Sequence, residues 1–328
     1  MLLPGNDPEA IQAAARRLAD GELLGLPTET VYGLAARADD DAAVAKIFAA
    51  KGRPSDHPLI VHVLDAAGAD RFARSGLHNT HRRLTDAFWP GPLTIIASRT
   101  PGMAEAAAGG QDTIALRAPA HPVARAVLAA ARELGVLGVA APSANRFGRV
   151  SPTLARHVVE EFGPELMVLD GGACEVGIES TIIDCSRGRL ALLRPGLISR
   201  ERIESVLGEP VFEPDANAPK ASGTLAAHYA PTARVRLLEA DSLALRFATT
   251  AAAGGLEGVA VYSRAQLPAW RWQAQPADPA AAAHELFAVL RALDAAGARE
   301  IWVEAPPRDP AWDGVRDRLS RAAAAFTD

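Results

Sequence analysis

Cationic, hydroxyl and amide side chains cluster where the apolar segments of this chain end. Lys51, Arg53 and His57 lie in one loop that glycine and proline stiffen. The other polar residues at or beside the ends of apolar segments are His62, Thr113, Arg117, Ser143, Asn145, Ser180 and Arg194. Such groups need partners once water is excluded, and cations combined with hydroxyl and amide donors suit a polyanion. The pattern therefore predicts a pocket for a nucleoside triphosphate held with Mg²⁺.

The segment from 113 to 117 has features that suit a second ligand. Alternation along a strand places Thr113 and Arg117 on one face, and Ile114 and Leu116 on the other. The hydroxyl and the guanidinium are then about 13–14 Å apart by strand rise. This separation suits a ligand with two ends, and the additional arginine suits a carboxylate. The competing interpretation is an edge strand on which Arg117 is solvated.

Three of the polar residues also have ordinary structural interpretations. Lys51 would complement the dipole in the last turn of a helix, and Ser151 could be only a helix N-cap. Helix N-termini also bind phosphate, so both interpretations of Ser151 stand. A single histidine on a strand, such as His62, is more often structural than a ligand contact. No nucleophilic dyad is evident, which favours phosphoryl or nucleotidyl transfer by positioning and electrostatics.

Hydrophobic periodicity predicts the elements that must position these groups. In residues 1–208 it indicates alternating helices and strands, and hence an α/β domain. The predicted helices begin at Asp7, near Asp40 or Asp41, near Thr80, at Pro122, at Ser151 and at Arg200. The predicted strands cover 23–26, 59–63, 93–97, 113–117, 136–141, 166–170 and 190–193, and a further strand begins at 177.

The periodicity vanishes between residues 209 and 232, so this stretch is predicted to be a linker. Its end, His228-Tyr229-Ala230-Pro231, places two aromatic residues in a polar segment, which suggests that the segment docks on something. Residues 233–328 are predicted to form a smaller Rossmann-like α/β domain, with strands at 234–238, 258–262 and 300–304 and helices at 279–296 and 312–326. This domain has no G-x-G-x-x-G turn, so no dinucleotide is predicted there.

Composition narrows the class of protein. A chain of 328 residues with 49% hydrophobic content suits one large domain plus a smaller one. The net charge of −5 gives no global attraction to nucleic acid, so an anion site must be built locally. Cys174 and Cys185 are predicted to be reduced thiols. No apolar run approaches the roughly 20 residues of a membrane span, and the N-terminus lacks the pattern of a signal peptide. We therefore predict a cytoplasmic protein without a membrane segment.

Seven motifs of this chain, in order, resemble those of the YrdC-type threonylcarbamoyl-AMP synthases. They are Pro27-Thr28-Glu29-Thr30-Val31-Tyr32-Gly33-Leu34, Lys51-Gly52-Arg53-Pro54, Pro58-Leu59-Ile60-Val61-His62, Trp89-Pro90-Gly91-Pro92-Leu93-Thr94, Pro142-Ser143-Ala144-Asn145, Glu179-Ser180-Thr181-Ile182 and Arg194-Pro195-Gly196. The match covers about residues 8–207, and the linker and trailing unit resemble the two-domain long form of that family. The resemblance implies a twisted open mixed sheet with a concave basic face.

The resemblance also implies an activity. L-threonine, bicarbonate or CO₂, and ATP would give threonylcarbamoyl-AMP and pyrophosphate, which makes the protein a nucleotidyltransferase with Mg²⁺ carried by ATP. No metal ligand is assigned to protein side chains. The product would supply the tRNA threonylcarbamoyl transferase complex, which modifies the adenosine next to the anticodon. A weak contact with tRNA or double-stranded RNA is a further possible partner interaction.

Site residues follow from the same resemblance, position by position. The implied ATP-binding residues are Lys51, Arg53, His57, Thr113, Ser143, Asn145, Ser151, Arg194, Tyr229 and Ala230, of which Lys51, Arg53, Ser143 and Asn145 are the implied catalytic residues. The implied L-threonine-binding residues are Thr30, Tyr32, His62, Arg117, Ala141 and Ser180. His57 stands where relatives often have a smaller polar residue. The linker departs from the family pattern, because the stretch from Ser222 to Ala227 lacks the usual cations.

Two other functions compete with this one. A concave basic face could bind double-stranded RNA or tRNA without catalysis, although the net charge of −5 and the few aromatic residues near the basic loops argue against tight binding. A carbamoyl transferase subunit resembling the hydrogenase-maturation proteins would need zinc fingers, which two cysteines cannot supply.

Overall fold

The computed structural model describes residues 1–326 and divides the chain into two compact units. The first unit comprises Met1–Phe147 and Ser151–Thr224. The second comprises Gly148–Val150 and the residues from Leu225 onward. The division after Thr224 falls within the stretch 209–232 that is predicted to be a linker. No helix in the described part of the chain has the length and apolar character needed to cross a membrane.

The first unit is built on an open, mixed sheet of ten strands. The strands are β1 (Leu2–Pro4), β2 (Leu24–Leu26), β3 (Gly33–Arg37), β4 (Ile60–His62), β5 (Leu93–Ser98), β6 (Thr113–Arg117), β7 (Val139–Ala140), β8 (Met167–Asp170), β9 (Thr181–Asp184) and β10 (Ala191–Arg194). Their order across the sheet is β1-β8-β2-β3-β7-β4-β6-β5-β9-β10. Strands β4 and β6 run parallel, and β5 runs antiparallel to β6 and parallel to β9. Strands β4 and β6, which carry the predicted site residues His62, Thr113 and Arg117, therefore lie side by side, and Ser180 directly precedes β9.

Helix boundaries in this unit follow from their capping residues. The helices are α1 (Pro8–Ala19), α2 (Asp41–Lys51), α3 (Ala66–Ala69), α4 (Asn79–Phe88), α5 (Pro122–Glu133), α6 (Ala155–Phe162) and α7 (Arg200–Leu207). The Asp7 carboxylate accepts a hydrogen bond from the first turn of α1, and Asp40 does the same for α2. Gly52 ends α2 with a φ of +63°, a conformation that glycine adopts without strain.

Several local predictions differ from the structure. The helix predicted to begin at Ser151 begins at Ala155, so Ser151 is not its N-cap, and its hydroxyl instead donates to Glu179. The strand predicted at 136–141 is only Val139–Ala140. Strand β3 was not predicted, because its Gly-Leu-Ala-Ala-Arg sequence lacks the β-branched and aromatic residues that favour strands. Its pairing with β2 and β7 stabilises it instead.

Alternation along the strands separates the buried apolar residues into clusters. Leu34 of β3 belongs to one cluster, and its neighbour Ala35 belongs to another. Successive residues of a strand point to opposite faces, so both faces of the sheet are packed. A third and smaller cluster, here named the apolar floor, comprises Ile60, Ile96, Ile182, Ala191 and Leu193. The apolar floor shares its face of the sheet with His62, because Ile60 and His62 are two residues apart on β4.

The second unit is a small parallel sheet with helices. Its elements are β11 (Arg234–Leu238), α8 (Ala240–Ala252), β12 (Val259–Ser263), β13 (Arg271–Ala274), α9 (Pro279–Ala295), β14 (Glu300–Glu304) and α10 (Asp313–Ala324). The strand order is β11-β14-β12-β13, and every pairing is parallel. The prediction of a mixed α/β sheet plus a smaller α/β domain is confirmed. Strand β13 was missed, since its one tryptophan, Trp272, lies in a short polar segment without a clear repeat.

Candidate functional site

Lys51 is buried in the first unit and fixed by the strand-end loop that follows β7. Its ammonium donates to the carbonyl oxygen of Ser143 at 2.6 Å and also to that of Asn145. Only 3% of Lys51 is exposed, so its position in the last turn of α2 does not make it a solvated cation at a helix end. Burial, helped by the nearby charge of Arg53, lowers the pKa of Lys51 well below its ordinary value. An arriving anion would favour the charged form again.

The loop from 142 to 145 is held by backbone contacts with the residues at the start of β3. The amide of Ala144 donates to the Tyr32 carbonyl at 2.7 Å, and the amide of Leu34 donates to Pro142 at 2.8 Å. The Asn145 side chain is buried, and its amide donates to the Arg146 carbonyl at 2.8 Å. Ser143 and Asn145 are therefore presented together beside Lys51, as the sequence predicts.

Arg53 and His57 extend this cationic cluster. The Arg53 guanidinium donates to the Pro58 carbonyl at 3.0 Å and lies 5.8 Å from the centre of the Phe147 ring. The His57 ring packs against the same phenylalanine at 5.5 Å. Partial burial and the charge of Arg53 lower the pKa of His57 below its ordinary value. Neutral imidazole is therefore favoured at His57 near neutral pH.

Arg117 lies on an interior strand and is buried. Strand β6 has β4 on one side and β5 on the other, so the interpretation of Arg117 as a solvated edge residue is wrong. Its guanidinium donates to the Thr30 hydroxyl at 2.8 Å and to the Gly91 carbonyl at 3.2 Å. It also forms an ion pair with Glu29, with 2.7 Å between Nη2 and Oε1. Sequence reasoning placed Glu29 within a motif but gave it no role.

His62 is the register partner of Arg117 on the neighbouring strand. Its Nδ1 lies 3.2 Å from the Ile60 carbonyl oxygen, which can only accept. The proton is therefore assigned to Nδ1, and Nε2 has the acceptor lone pair. Burial and the charge of Arg117 lower the pKa of His62 to about 3. His62 is thus a neutral acceptor beside a guanidinium, an arrangement that suits an amino-acid ligand.

Ser180 joins the two predicted sets of binding residues. Its hydroxyl lies 2.7 Å from that of Thr94 and accepts from Arg194 at 3.1 Å. Ile95 of β5 pairs with Leu116 of β6. Because the two strands are antiparallel, the same register places Thr94 beside Arg117. Ser180, from the predicted threonine set, is therefore in direct contact with Arg194, from the predicted ATP set. Gly196 lets the chain after Arg194 pass close to Thr181, because a Cβ atom at position 196 would lie 2.6 Å from the Thr181 backbone nitrogen.

Ser222 connects Arg194 to Arg53. Arg194 donates to the Ser222 carbonyl at 2.7 Å, and Arg53 donates to the Ser222 hydroxyl at 3.4 Å. The contacts Thr94–Ser180–Arg194–Ser222–Arg53 therefore form one continuous series in the first unit. Ser222 was not predicted as a site residue, because it lies in a stretch without periodicity.

Residues 218–222, named the strap here, lie over the apolar floor. Ala218 and Ala221 pack against it. Between them, the Gln111 side chain makes two hydrogen bonds with the backbone of Lys220, accepting from its amide at 2.8 Å and donating to its carbonyl at 3.2 Å. The Lys220 ammonium also pairs with Asp56 at 2.8 Å. The side chains of Gln111 and Asp56 thus fix the strap at its middle residue, Lys220.

The remaining predicted residues are more dispersed. Thr113 is half-buried at the opposite end of β6 from Arg117, and the Ala141 amide already donates to the Ile60 carbonyl at 3.0 Å. The buried Tyr32 hydroxyl donates to the Gly172 carbonyl at 2.8 Å, and burial raises its pKa.

Tyr229 and Ala230 belong to the second unit, where Tyr229 packs against Phe287 with ring centres 5.4 Å apart. The prediction that this linker end docks on something is thus confirmed for Tyr229. Cys174 and Cys185 are buried free thiols, as predicted.

The arrangement combines a cluster of cations with a separate group of hydrogen-bond donors and acceptors. Lys51, Arg53 and Arg194 supply positive charge, and the Arg117–Glu29 pair with His62 supplies a second group of donors and acceptors. No cluster of three or more His, Cys, Asp or Glu side chains suitable for a metal ion occurs in residues 1–326. The fold and site define an α/β protein in which cationic side chains are grouped in a way that suits an anion.

Comparison with known proteins identifies the family. The model of the Sua5, YciO and YrdC family, described as telomere recombination, matches residues 16–196, and the model of the threonylcarbamoyl-AMP synthase C-terminal domain matches residues 198–324. The chain belongs to this family and is a two-domain, Sua5-type member, so the predicted resemblance is confirmed.

Individual relatives agree with the family models. The threonylcarbamoyl-AMP synthase of Pyrococcus abyssi is 42% identical over 235 residues, which cover 70% of this chain and 68% of the relative. That of Bacillus subtilis is 41% identical over 243 residues, covering 72% and 68%. The crystal structure of Pyrococcus abyssi Sua5 complexed with L-threonine superposes with a TM-score of 0.88 and 34% identity, covering 99% of this chain and 97% of that one. These relatives are enzymes by name.

Proposed function

We propose that this chain is an L-threonylcarbamoyladenylate synthase, which converts L-threonine, bicarbonate or CO₂, and ATP into threonylcarbamoyl-AMP and pyrophosphate. The observation that carries the proposal is the series of contacts from Thr94 through Ser180, Arg194 and Ser222 to Arg53. It joins the residues proposed to bind threonine directly to those proposed to bind ATP. Two substrates held at adjoining places can react without a covalent enzyme intermediate.

The threonine end of the site is proposed to orient the amino acid. Arg117 would bind the substrate carboxylate, with Thr30 and Glu29 fixing the guanidinium. The His62 Nε2 lone pair and the Ser180 hydroxyl offer partners for the substrate hydroxyl and amine. The neutral amine would attack the carbon of CO₂, so that the N–C bond of a carbamate forms as one C–O π bond opens onto oxygen, and the amine proton is released to water. A neutral imidazole at His62 suits this step, because its Nε2 lone pair can accept a hydrogen bond from the N–H of the attacking amine.

The nucleotide end is proposed to stabilise the leaving group. A carbamate oxygen would attack the α-phosphorus of ATP, and the bond from this phosphorus to the bridging oxygen would break to release pyrophosphate. Lys51, Arg53 and Arg194 would offset the charge of the departing phosphates, and Ser143 and Asn145 would position the nucleotide. Mg²⁺ is proposed to arrive with ATP and would supply further charge neutralisation. The product would then pass to the tRNA threonylcarbamoyl transferase complex in the cytoplasm.

Pyrophosphate release tests this function. The purified chain is incubated with Mg²⁺-ATP, and L-threonine and bicarbonate are omitted in turn. We expect release only when all the substrates are present, and we expect L-serine, which lacks the methyl group, to be a poorer substrate. An Arg117→Lys variant should raise the KM for threonine more than that for ATP, because lysine cannot make the same forked contacts. Release that does not depend on threonine, or salt-sensitive RNA binding without ATP consumption, would rule the proposal out.

A further inference from the structure

The second unit contains a surface groove whose charge the proposed reaction does not use. Two cavities of about 430 and 480 Å³ have Arg234 and Arg246 in common. Arg236 lines the first, and Arg299 lines the second. We call these four residues the arginine groove. Only two acidic residues, Glu257 and Glu300, line the same cavities.

One of the four arginines is neutralised by an acid. Arg236 makes two hydrogen bonds of 2.8 Å to the Glu300 carboxylate. Glu300 also accepts from the Trp302 indole at 2.6 Å. The hydrogen bond from Arg236 is the main cause that lowers the pKa of Glu300 to about 2. The charges of Arg236 and Glu300 therefore neutralise each other, and the pair forms one wall of the groove.

The other three arginines are exposed and make no ion pair within hydrogen-bonding distance in residues 1–326, although the charge of Arg246 also acts on Glu300. Arg234 donates to the Phe326 carbonyl at 2.8 Å, and Arg299 donates to the Glu257 carbonyl. The Arg246 guanidinium lies 5.0 Å from the centre of the Trp302 ring. Carbonyl oxygens and an aromatic ring fix the direction of these guanidinium groups without cancelling their charge. Two of these oriented positive charges, Arg234 and Arg246, therefore face both cavities, and Arg299 adds a third charge at the second cavity.

We propose that the arginine groove binds the phosphate groups of a polyanion. A guanidinium presents paired N–H donors that match a phosphate, and Arg234 and Arg246 border both cavities, so neighbouring phosphates could be bound at the same time. The cavity volumes lie in the range of small-ligand sites. The same chemistry is found in a free polyphosphate and in the phosphodiester backbone of RNA. The two sources are distinguished by the experiment.

The test uses the full chain with two probes, a fluorescently labelled single-stranded RNA of mixed sequence and inorganic triphosphate. Binding of each probe is measured at several salt concentrations for the wild type, for Arg246→Gln and Arg299→Gln, and for the triple variant with Arg234→Gln. We expect each single substitution to weaken binding about tenfold at low salt. For RNA, each lost contact should reduce the slope of log K against log salt by about 0.7. Arg308→Gln is the matched control, since Arg308 is 86% exposed, pairs with Glu239 at 3.4 Å and lies outside the groove.

The outcomes distinguish RNA from a small polyphosphate as the ligand, and they also test whether the groove binds phosphate at all. RNA binding that the groove variants weaken and triphosphate does not displace identifies a nucleic acid backbone as the ligand. Triphosphate binding that the same variants weaken, without RNA binding, identifies a small polyphosphate. Pyrophosphate release by the groove variants should equal that of the wild type, so a failed groove and a failed catalytic proposal give different results. The proposal is wrong if neither probe binds, or if the triple variant binds as the wild type does. Arg246→Lys, which retains the charge, should recover part of the binding if the loss reflects charge rather than misfolding.

Discussion

Replacing Glu29 by glutamine tests the architecture of the threonine end most directly. The substitution keeps the shape of the side chain but removes the negative charge that faces Arg117. The two side chains are only 5% and 4% exposed, so the guanidinium cannot recover its hydration. Breaking a buried pair in this way costs about 3–5 kcal/mol, because a buried charge is left uncompensated. We expect Glu29→Gln to lower the free energy of unfolding in urea by that amount and to raise the KM for threonine.

The pH dependence of the free energy of unfolding tests the same prediction by a second measurement. Burial alone raises the pKa of Glu29, but the charge and hydrogen bonds of Arg117 outweigh it and lower the pKa below its ordinary value of 4.5. The stability from ionised Glu29 is therefore present above that pH and is lost as the pH falls through the lower folded-state pKa. The difference in stability between wild type and Glu29→Gln should shrink in acid.

Glu22→Gln is the control for that experiment, because Glu22 pairs with Lys46 at 2.8 Å but both side chains are more than 40% exposed. We expect it to change the free energy of unfolding much less. If Glu29→Gln unfolds at the same urea concentration as Glu22→Gln, the reasoning about the buried pair is refuted.

Three further predictions concern the rest of the site. Lys51→Met should lower kcat/KM for ATP about 100-fold in steady-state assays, because a buried donor to the phosphates is lost, whereas an unchanged value would remove Lys51 from the nucleotide site. ATP affinity of the wild type should weaken as the pH rises, with proton uptake on binding seen by calorimetry in buffers of different ionisation enthalpy, because the apo pKa of Lys51 is lowered and a triphosphate raises it again. Gln111→Ala should speed hydrogen exchange at the Lys220 amide, and protection equal to that of the wild type would show that Gln111 does not fix the strap.

The sequence was most informative where a local pattern and a tertiary requirement coincide. Asp40 and Gly52 bound a helix by capping rules, and the structure has that helix at Asp41–Lys51. The alternation in 113–117 placed Arg117 on the polar face of a strand, and it lies there beside His62. In these cases the same residues satisfy local geometry and the site, so local reasoning is sufficient.

The contacts that complete the site could not be predicted in the same way. Glu29 lies between two threonines, which is typical of a turn, and only the position of β6 brings Arg117 to it. Ser222 lies in a segment without helix or strand, and its contact with Arg53 depends on where the strap crosses the apolar floor. Ser151 shows the converse, because its sequence fits an N-cap while its hydroxyl is used by Glu179. Long-range pairing decides each of these contacts.

The two buried cations Lys51 and Arg117 are compensated in different ways, which suits the two substrates of the proposed reaction. Arg117 faces the carboxylate of Glu29, so the pair is nearly neutral and suits a zwitterion, whose own charges then need only local partners. Lys51 is fixed by carbonyl oxygens, which orient the ammonium but do not cancel its charge, and burial together with the charge of Arg53 lowers its pKa. A polyanion that arrives beside Lys51 relieves this unfavourable burial, whereas an amino acid could not do so. In the proposed reaction, this difference in how the cations are compensated favours ATP at one end of the site and threonine at the other.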